Sequence, residues 1–148
     1  MKVSRIMNAS AEEVYGLMLE SAKADVEQAT GKKINENDIK TGYSYRKNLT
    51  NRMGKEGSSI ATFTRIIKPR VYEIEFKTAR GFNKVIYEIE ALENGQVEVT
   101  YEEVYDAADK RQDLNYKIVS FFYNRGSKKR MERMLELMEQ HVANRRES

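Results

Sequence analysis

The stretch Tyr72-Glu73-Ile74-Glu75-Phe76-Lys77, with its continuation Val85, Tyr87 and Ile89 against Lys84, Glu88 and Glu90, decides the fold. Apolar or aromatic side chains alternate with charged ones, and a period of two is the mark of a strand with one face buried. Arg80-Gly81 separates the two runs. Asn94-Gly95 follows the second run as a hairpin signal, since the central residues of a tight hairpin turn adopt positive φ. Val97, Val99 and Tyr101 then alternate against Glu98, Thr100 and Glu102. Strands joined by connections this short pair antiparallel.

Working towards the N-terminus, Lys68-Pro69-Arg70 reads as a turn, because proline removes a ladder donor. From Ser59 to Ile67 both phases carry apolar residues, which predicts a strand covered on two sides. Asn51 to Gly57 reads as a loop, and Tyr43, Tyr45 and Leu49 share one face of an earlier strand. Lys32 to Thr41 is a polar connection. Ser10 stands three residues before Glu13, the spacing of a capping box. Behind it Val14, Met18, Ala22, Val26 and Ala29 form one helical stripe, which Thr30-Gly31 ends. Val3 to Met7 is a short opening strand. The sheet therefore has about six strands, a usual size.

Towards the C-terminus, Asp113 is a good N-cap. An unbroken helix from there to Arg145 would be about 50 Å long, against a radius of gyration of roughly 15 Å for such a domain. That mismatch predicts a break at Gly126, with a short helix over Leu114–Tyr123 and a long one over Ser127–Asn144. Met131, Met134, Leu135, Met138 and Val142 give the long helix its buried stripe. Lys128, Lys129 and Arg130 at its first turn would oppose the helix dipole, which argues instead for a kinked but continuous helix.

The chain has 148 residues, 40% hydrophobic and 33% charged, which fits one folded domain over 1–148. No apolar run is long enough to span a membrane. Met1 to Arg5 has no apolar stretch behind it, so no secretory signal is expected. Cysteine is absent, which excludes disulfides, thiolate metal sites and cysteine nucleophiles, and fits a cytoplasmic location. The net charge of +3 is concentrated at Lys128, Lys129, Arg130, Arg133, Arg145 and Arg146. Glu132, Glu136 and Glu139 interleave with these cations, so the patch reads as a solvated face and nucleic acid is not an expected partner.

The opening strand, the phrase Asn8-Ala9-Ser10-Ala11-Glu12-Glu13-Val14-Tyr15, the meander to Tyr105 and the closing helix from Ser127 together resemble the START and birch-pollen-allergen superfamily. Within it the chain is similar to an uncharacterised group of small bacterial proteins. The resemblance implies an α+β helix-grip fold, a curved antiparallel sheet wrapped around a long C-terminal helix. It implies no assigned activity, since the superfamily spans lipid and hormone binders, cyclases and proteins without a known ligand. Leu114–Tyr123 departs from the usual pattern, and its Phe121-Phe122-Tyr123 cluster is placed to plug a cavity.

Three groups of residues are candidates for function. Tyr43, Tyr45, Phe63, Tyr72, Phe76, Tyr87 and Tyr101 take inward phases, where they either fill a core or line a pocket for an amphipathic ligand. Glu103 points inward if the phase of Val97, Val99 and Tyr101 persists, with Arg65 or Lys47 as its cation. A bulge near Glu102 would turn it outward, and the rarity of buried charge weighs on that side. His141, the only histidine, reads as a surface residue. Without cysteine or a second histidine no metal site is expected, and no catalytic residue or cofactor motif stands out. The function expected is binding of a small hydrophobic or amphipathic molecule between the sheet and the last helix, not catalysis. The alternative is a ligand-free interaction module or homodimer.

Overall fold

The computed structural model describes residues 1–50, 56–79, 81–107 and 113–147, with the side chains at 49–50, 56, 106–107 and 113–127 set aside. In chain order the elements are β1 (Lys2–Met7), α1 (Ala11–Thr30), β2 (Ser44–Thr50), β3 (Glu56–Ile67), β4 (Val71–Thr78), β5 (Gly81–Ala91), β6 (Val97–Ala107) and α2 (Asp113–Glu147). A 3-10 turn at Glu36–Asp38 interrupts the polar connection after α1. The strands form one antiparallel sheet in the order β1-β6-β5-β4-β3-β2, so β1 closes back beside β6. Helix α1 lies over β2 and β5, α2 lies over β1 and β6, and the two helices touch. This is the α+β helix-grip arrangement.

Local chemistry accounts for the ends of α1. Ser10 Oγ accepts from the Glu13 amide, and the Glu13 carboxylate accepts from the Ser10 amide, which completes the capping box. At the other end Gly31 takes φ 71° and donates to the Glu27 carbonyl, a conformation that strains any residue with a Cβ. The core between helices and sheet is apolar: Met7, Val14, Val26, Phe63, Val99 and Leu135 are fully enclosed.

Three expectations change. Helix α2 runs unbroken through Gly126. Glycine inside a helix costs only about 1 kcal/mol relative to alanine, so it permits a break without forcing one. Continuity also moves Lys128–Arg130 away from the positive helix end and leaves Arg145 and Arg146 in the last turn, where cations suit the dipole. The Phe121-Phe122-Tyr123 cluster lies outside the residues whose side chains are described, and most of the loop expected at Asn51–Gly57 lies outside the described residues, as does Arg80. Strand β3 is covered on one face only, with Ile60 and Ile67 about 40% and 39% exposed. The Asn94-Gly95 turn uses positive φ at Gly95 alone (80°), while the Asn94 side chain accepts from the Gln96 amide. That is the longer hairpin loop closed by a left-handed glycine, not the two-residue form.

Candidate functional site

Strand register lays one row of rings across the concave face. Tyr72 on β4 stands opposite Tyr87 on β5, which stands opposite Tyr101 on β6, which faces Val3 on β1. Ring centroids along the row are 4.8 Å apart for Tyr87–Tyr101, 5.8 Å for Tyr72–Tyr87, 5.8 Å for Phe63–Tyr72 and 6.1 Å for Tyr45–Phe63. The Phe63–Tyr72 and Tyr72–Tyr87 pairs are edge-to-face, the arrangement the ring quadrupole favours. Tyr43 adds a ring beside Phe63 at 6.2 Å, and Tyr15 of α1 meets Tyr72 at 6.4 Å.

A helix-borne or strand-borne carboxylate closes each end of the row. At the β2 end, Tyr45 donates to Asp25 of α1 at 2.5 Å, and Lys47 Nζ donates to the other Asp25 oxygen at 2.9 Å. At the β6 end, Tyr101 donates to Glu103 at 2.5 Å, and Arg130 of α2 approaches the same oxygen at 3.4 Å. Burial first, then the hydrogen bond to the carboxylate, pushes both phenols up and keeps them protonated. These contacts pin α1 to β2 and α2 to β6.

The middle of the row is different. Between α1, α2 and the sheet runs a groove of about 370 Å³. Its floor is Tyr72 and Tyr87; Leu17, Met18 and Ser21 form the α1 wall, and Met134, Met138 and His141 stand on α2. Tyr72 is 9% exposed, and among the described residues its hydroxyl has no hydrogen-bond partner. No buried polar side-chain atom is left unsatisfied among the described residues, so that hydroxyl meets the accessible space of the groove. The Tyr87 hydroxyl reaches only the Met134 sulfur, at 3.7 Å, a weak acceptor. Burial pushes both phenols up, assisted by Tyr87 and Asp25 for Tyr72 and by Glu103 for Tyr87. Both therefore stay neutral donors.

Of the residues singled out from the sequence, Tyr45, Phe63, Tyr72 and Tyr101 are buried, while Tyr43, Phe76, Tyr87 and Glu103 are half-buried. Glu103 keeps the inward phase because the β5–β6 register runs without a shift, so the expected bulge is absent. Its cation is Arg130, not Arg65 or Lys47. A register shift between Phe63 and Arg65 turns Arg65 out to solvent opposite Glu73, and Asp25 takes Lys47. Phe76 is carried away from the row; the Lys47 amine sits 5.6 Å from its ring, beside a smaller pocket of about 270 Å³ that Asn83 and Tyr105 also line. His141 is exposed, on the rim of the main groove.

Sequence reasoning missed Asp25 and Arg130. Asp25 lies three residues after Ala22 and seven after Met18, at the edge of the apolar stripe of α1, and a carboxylate there must meet a donor on the sheet. Arg130 precedes Met131 of the α2 stripe, and its partner Glu103 lies on a strand distant in sequence. Among the described residues no group of His, Asp and Glu could hold a metal ion, and no helix is long and apolar enough to cross a membrane.

Residues 1–124 match the family described as Domain of unknown function (DUF3284). The chain belongs to this family. Solved structures share its fold at low identity. A protein of unknown function from Staphylococcus aureus, SA2116, is similar at a TM-score of 0.68 and 18% identity, over 100% of this chain and 95% of that one. Ara h 8.0201 is similar at a TM-score of 0.57 and 9% identity, over 97% of each chain. The protein NE0264 from Nitrosomonas europaea is similar at a TM-score of 0.61 and 9% identity, over 100% of this chain and 96% of that one. No protein of curated function matches.

Proposed function

We propose that this protein binds a small apolar or amphipathic molecule in the groove between α1, α2 and the sheet. One observation carries the reading: a groove with apolar walls holds, on its floor, a nine-tenths-buried tyrosine whose hydroxyl has no partner among the described residues. That hydroxyl opens on the groove, so an acceptor that enters the groove can bond it. A site that is mostly apolar with a few placed polar groups is the ordinary form of a small-molecule pocket. The likeness to Ara h 8.0201 agrees with a place in the START and birch-pollen-allergen superfamily, which we infer for this chain on fold alone.

Titration with the neutral fluorescent probe phenylnaphthylamine tests the reading. Saturable enhancement with a dissociation constant on the order of 10 μM or tighter is expected. Met138→Trp, which fills the groove from α2, should abolish it without unfolding the chain. A wild-type protein that gives no saturable signal, or a Met138→Trp variant that binds unchanged, contradicts the assignment.

A further inference from the structure

The groove's polar groups select the chemistry of its occupant, an inference that rests on the binding reading above. Among the described residues that line it, Tyr72, Tyr87, Ser21 and His141 are polar or ionisable, and none is lysine or arginine. The two cations beside the ring row are committed elsewhere, Lys47 to Asp25 and Arg130 to Glu103. Asp25 and Glu103 act on the floor phenols from opposite ends: Asp25 adds to the upward shift at Tyr72, Glu103 to that at Tyr87. Burial keeps both phenols protonated, so the floor presents hydroxyl hydrogens rather than phenolate oxygens.

Each class of head group meets these facts differently. A carboxylate or phosphate on the floor would be desolvated with no lysine or arginine among the described lining residues to receive it. An ammonium group would find ring faces but would leave the Tyr72 hydrogen without an acceptor. A pure hydrocarbon would seal that hydroxyl away from water with nothing to bond to. An uncharged molecule with an acceptor oxygen satisfies the phenol and incurs no charge desolvation.

We propose that Tyr72, with Tyr87 beside it, is the specificity-determining donor of the groove, and that the occupant is an uncharged apolar molecule carrying a carbonyl-type acceptor oxygen. The body of that molecule lies against Met18, Met134 and Met138, whose flexible thioethers adapt to a flat or irregular shape.

Three naphthalenes with the same ring system and different heads make the test: acetonaphthone (a ketone), naphthoate and naphthylmethylammonium. Each is titrated against phenylnaphthylamine bound to the full chain at pH 7. The ketone should compete at least tenfold more strongly than either ion. Tyr72→Phe should weaken the ketone about tenfold more than it weakens phenylnaphthylamine, and Tyr87→Phe should weaken the ketone less. Because Tyr72→Phe removes a hydroxyl that has no partner among the described residues, the variant should keep its fold, which its melting curve checks. Equal competition by ketone and naphthoate, stronger competition by the ammonium, or a Tyr72→Phe variant that treats ketone and phenylnaphthylamine alike overturns the specificity while the groove stands. Failure of phenylnaphthylamine to bind the wild type removes the groove and this inference together.

Discussion

Tyr45 and Tyr101, at the two ends of the ring row, each donate to a carboxylate that a cation also holds, whereas Tyr72 in the middle donates to nothing among the described residues. The side chains are the same and all three are buried. What differs is what the helices bring. Helix α1 delivers Asp25 to Tyr45, and α2 delivers Arg130 to the Glu103 that Tyr101 bonds. Over Tyr72 and Tyr87 the same helices deliver Met18, Met134 and Met138, which cannot meet a phenol's demand for a strong acceptor. The ends of the row are closed by the chain's own charged groups; at its middle the Tyr72 hydroxyl meets no such group among the described residues.

Breaking the row should be most costly at its packed hinge. Phe63 is fully enclosed and touches rings on three sides, so Phe63→Ala should lose about 3–5 kcal/mol in urea unfolding. A loss below about 1 kcal/mol would mean that the rings do not pack as one unit. Breaking a closed end costs less. Asp25→Ala strips the acceptor from Tyr45 and the partner from Lys47, and about 1–2 kcal/mol is expected, since the Asp25 side chain is 35% exposed. The same variant should leave phenylnaphthylamine binding within about threefold if the end is separate from the groove.

The smallest loss should follow from loosening the helices where they meet beyond the groove. Arg146 holds Glu13, and Arg145 grips Glu20 through both carboxylate oxygens at 2.7 and 2.8 Å. The Arg146 bond, then the Ser10 amide, hold the Glu13 carboxyl down at about 2, from an ordinary 4.5. The unfolded chain takes up this proton first, so the contribution of Glu13 is complete above about pH 4.5 and is lost as pH falls towards 2. Glu13→Gln should lower the melting temperature by no more than about 3 °C at pH 7, because exposed ion pairs are weak. The gap between variant and wild type should close as the pH falls through that window. A gap that persists at pH 2 assigns the effect to the cap geometry instead of the charge.

Much of the fold could be read from residue patterns. Alternation at Tyr72–Lys77 and Val85–Glu90 gave the strands, and Ser10, Glu13 and Gly31 gave both ends of α1. The inward phases of Tyr45, Tyr72, Tyr87 and Tyr101 were legible for the same reason, since a regular strand repeats every two residues. Arg65 was misplaced because one extra residue in β3 reverses that repeat, and no turn residue marks the spot. Gly126 was misread because glycine only lowers helix propensity, and the length of α2 depends on contacts that propensity does not encode. Asp25 and Arg130 were out of reach for a different reason. Each is a helix residue whose partner lies on a distant strand, and the sequence alone does not say which helix faces which end of the sheet.

Urea unfolding of Tyr101→Phe and Tyr72→Phe side by side tests the contrast between closed ends and open middle most directly. Tyr101→Phe leaves Glu103 short of a donor and should lose about 1 kcal/mol or more. Tyr72→Phe removes a hydroxyl with no partner among the described residues and should be neutral within about 0.5 kcal/mol, or slightly stabilising. Equal losses at the two positions would mean that Tyr72 is already bonded within the fold, and would contradict the account.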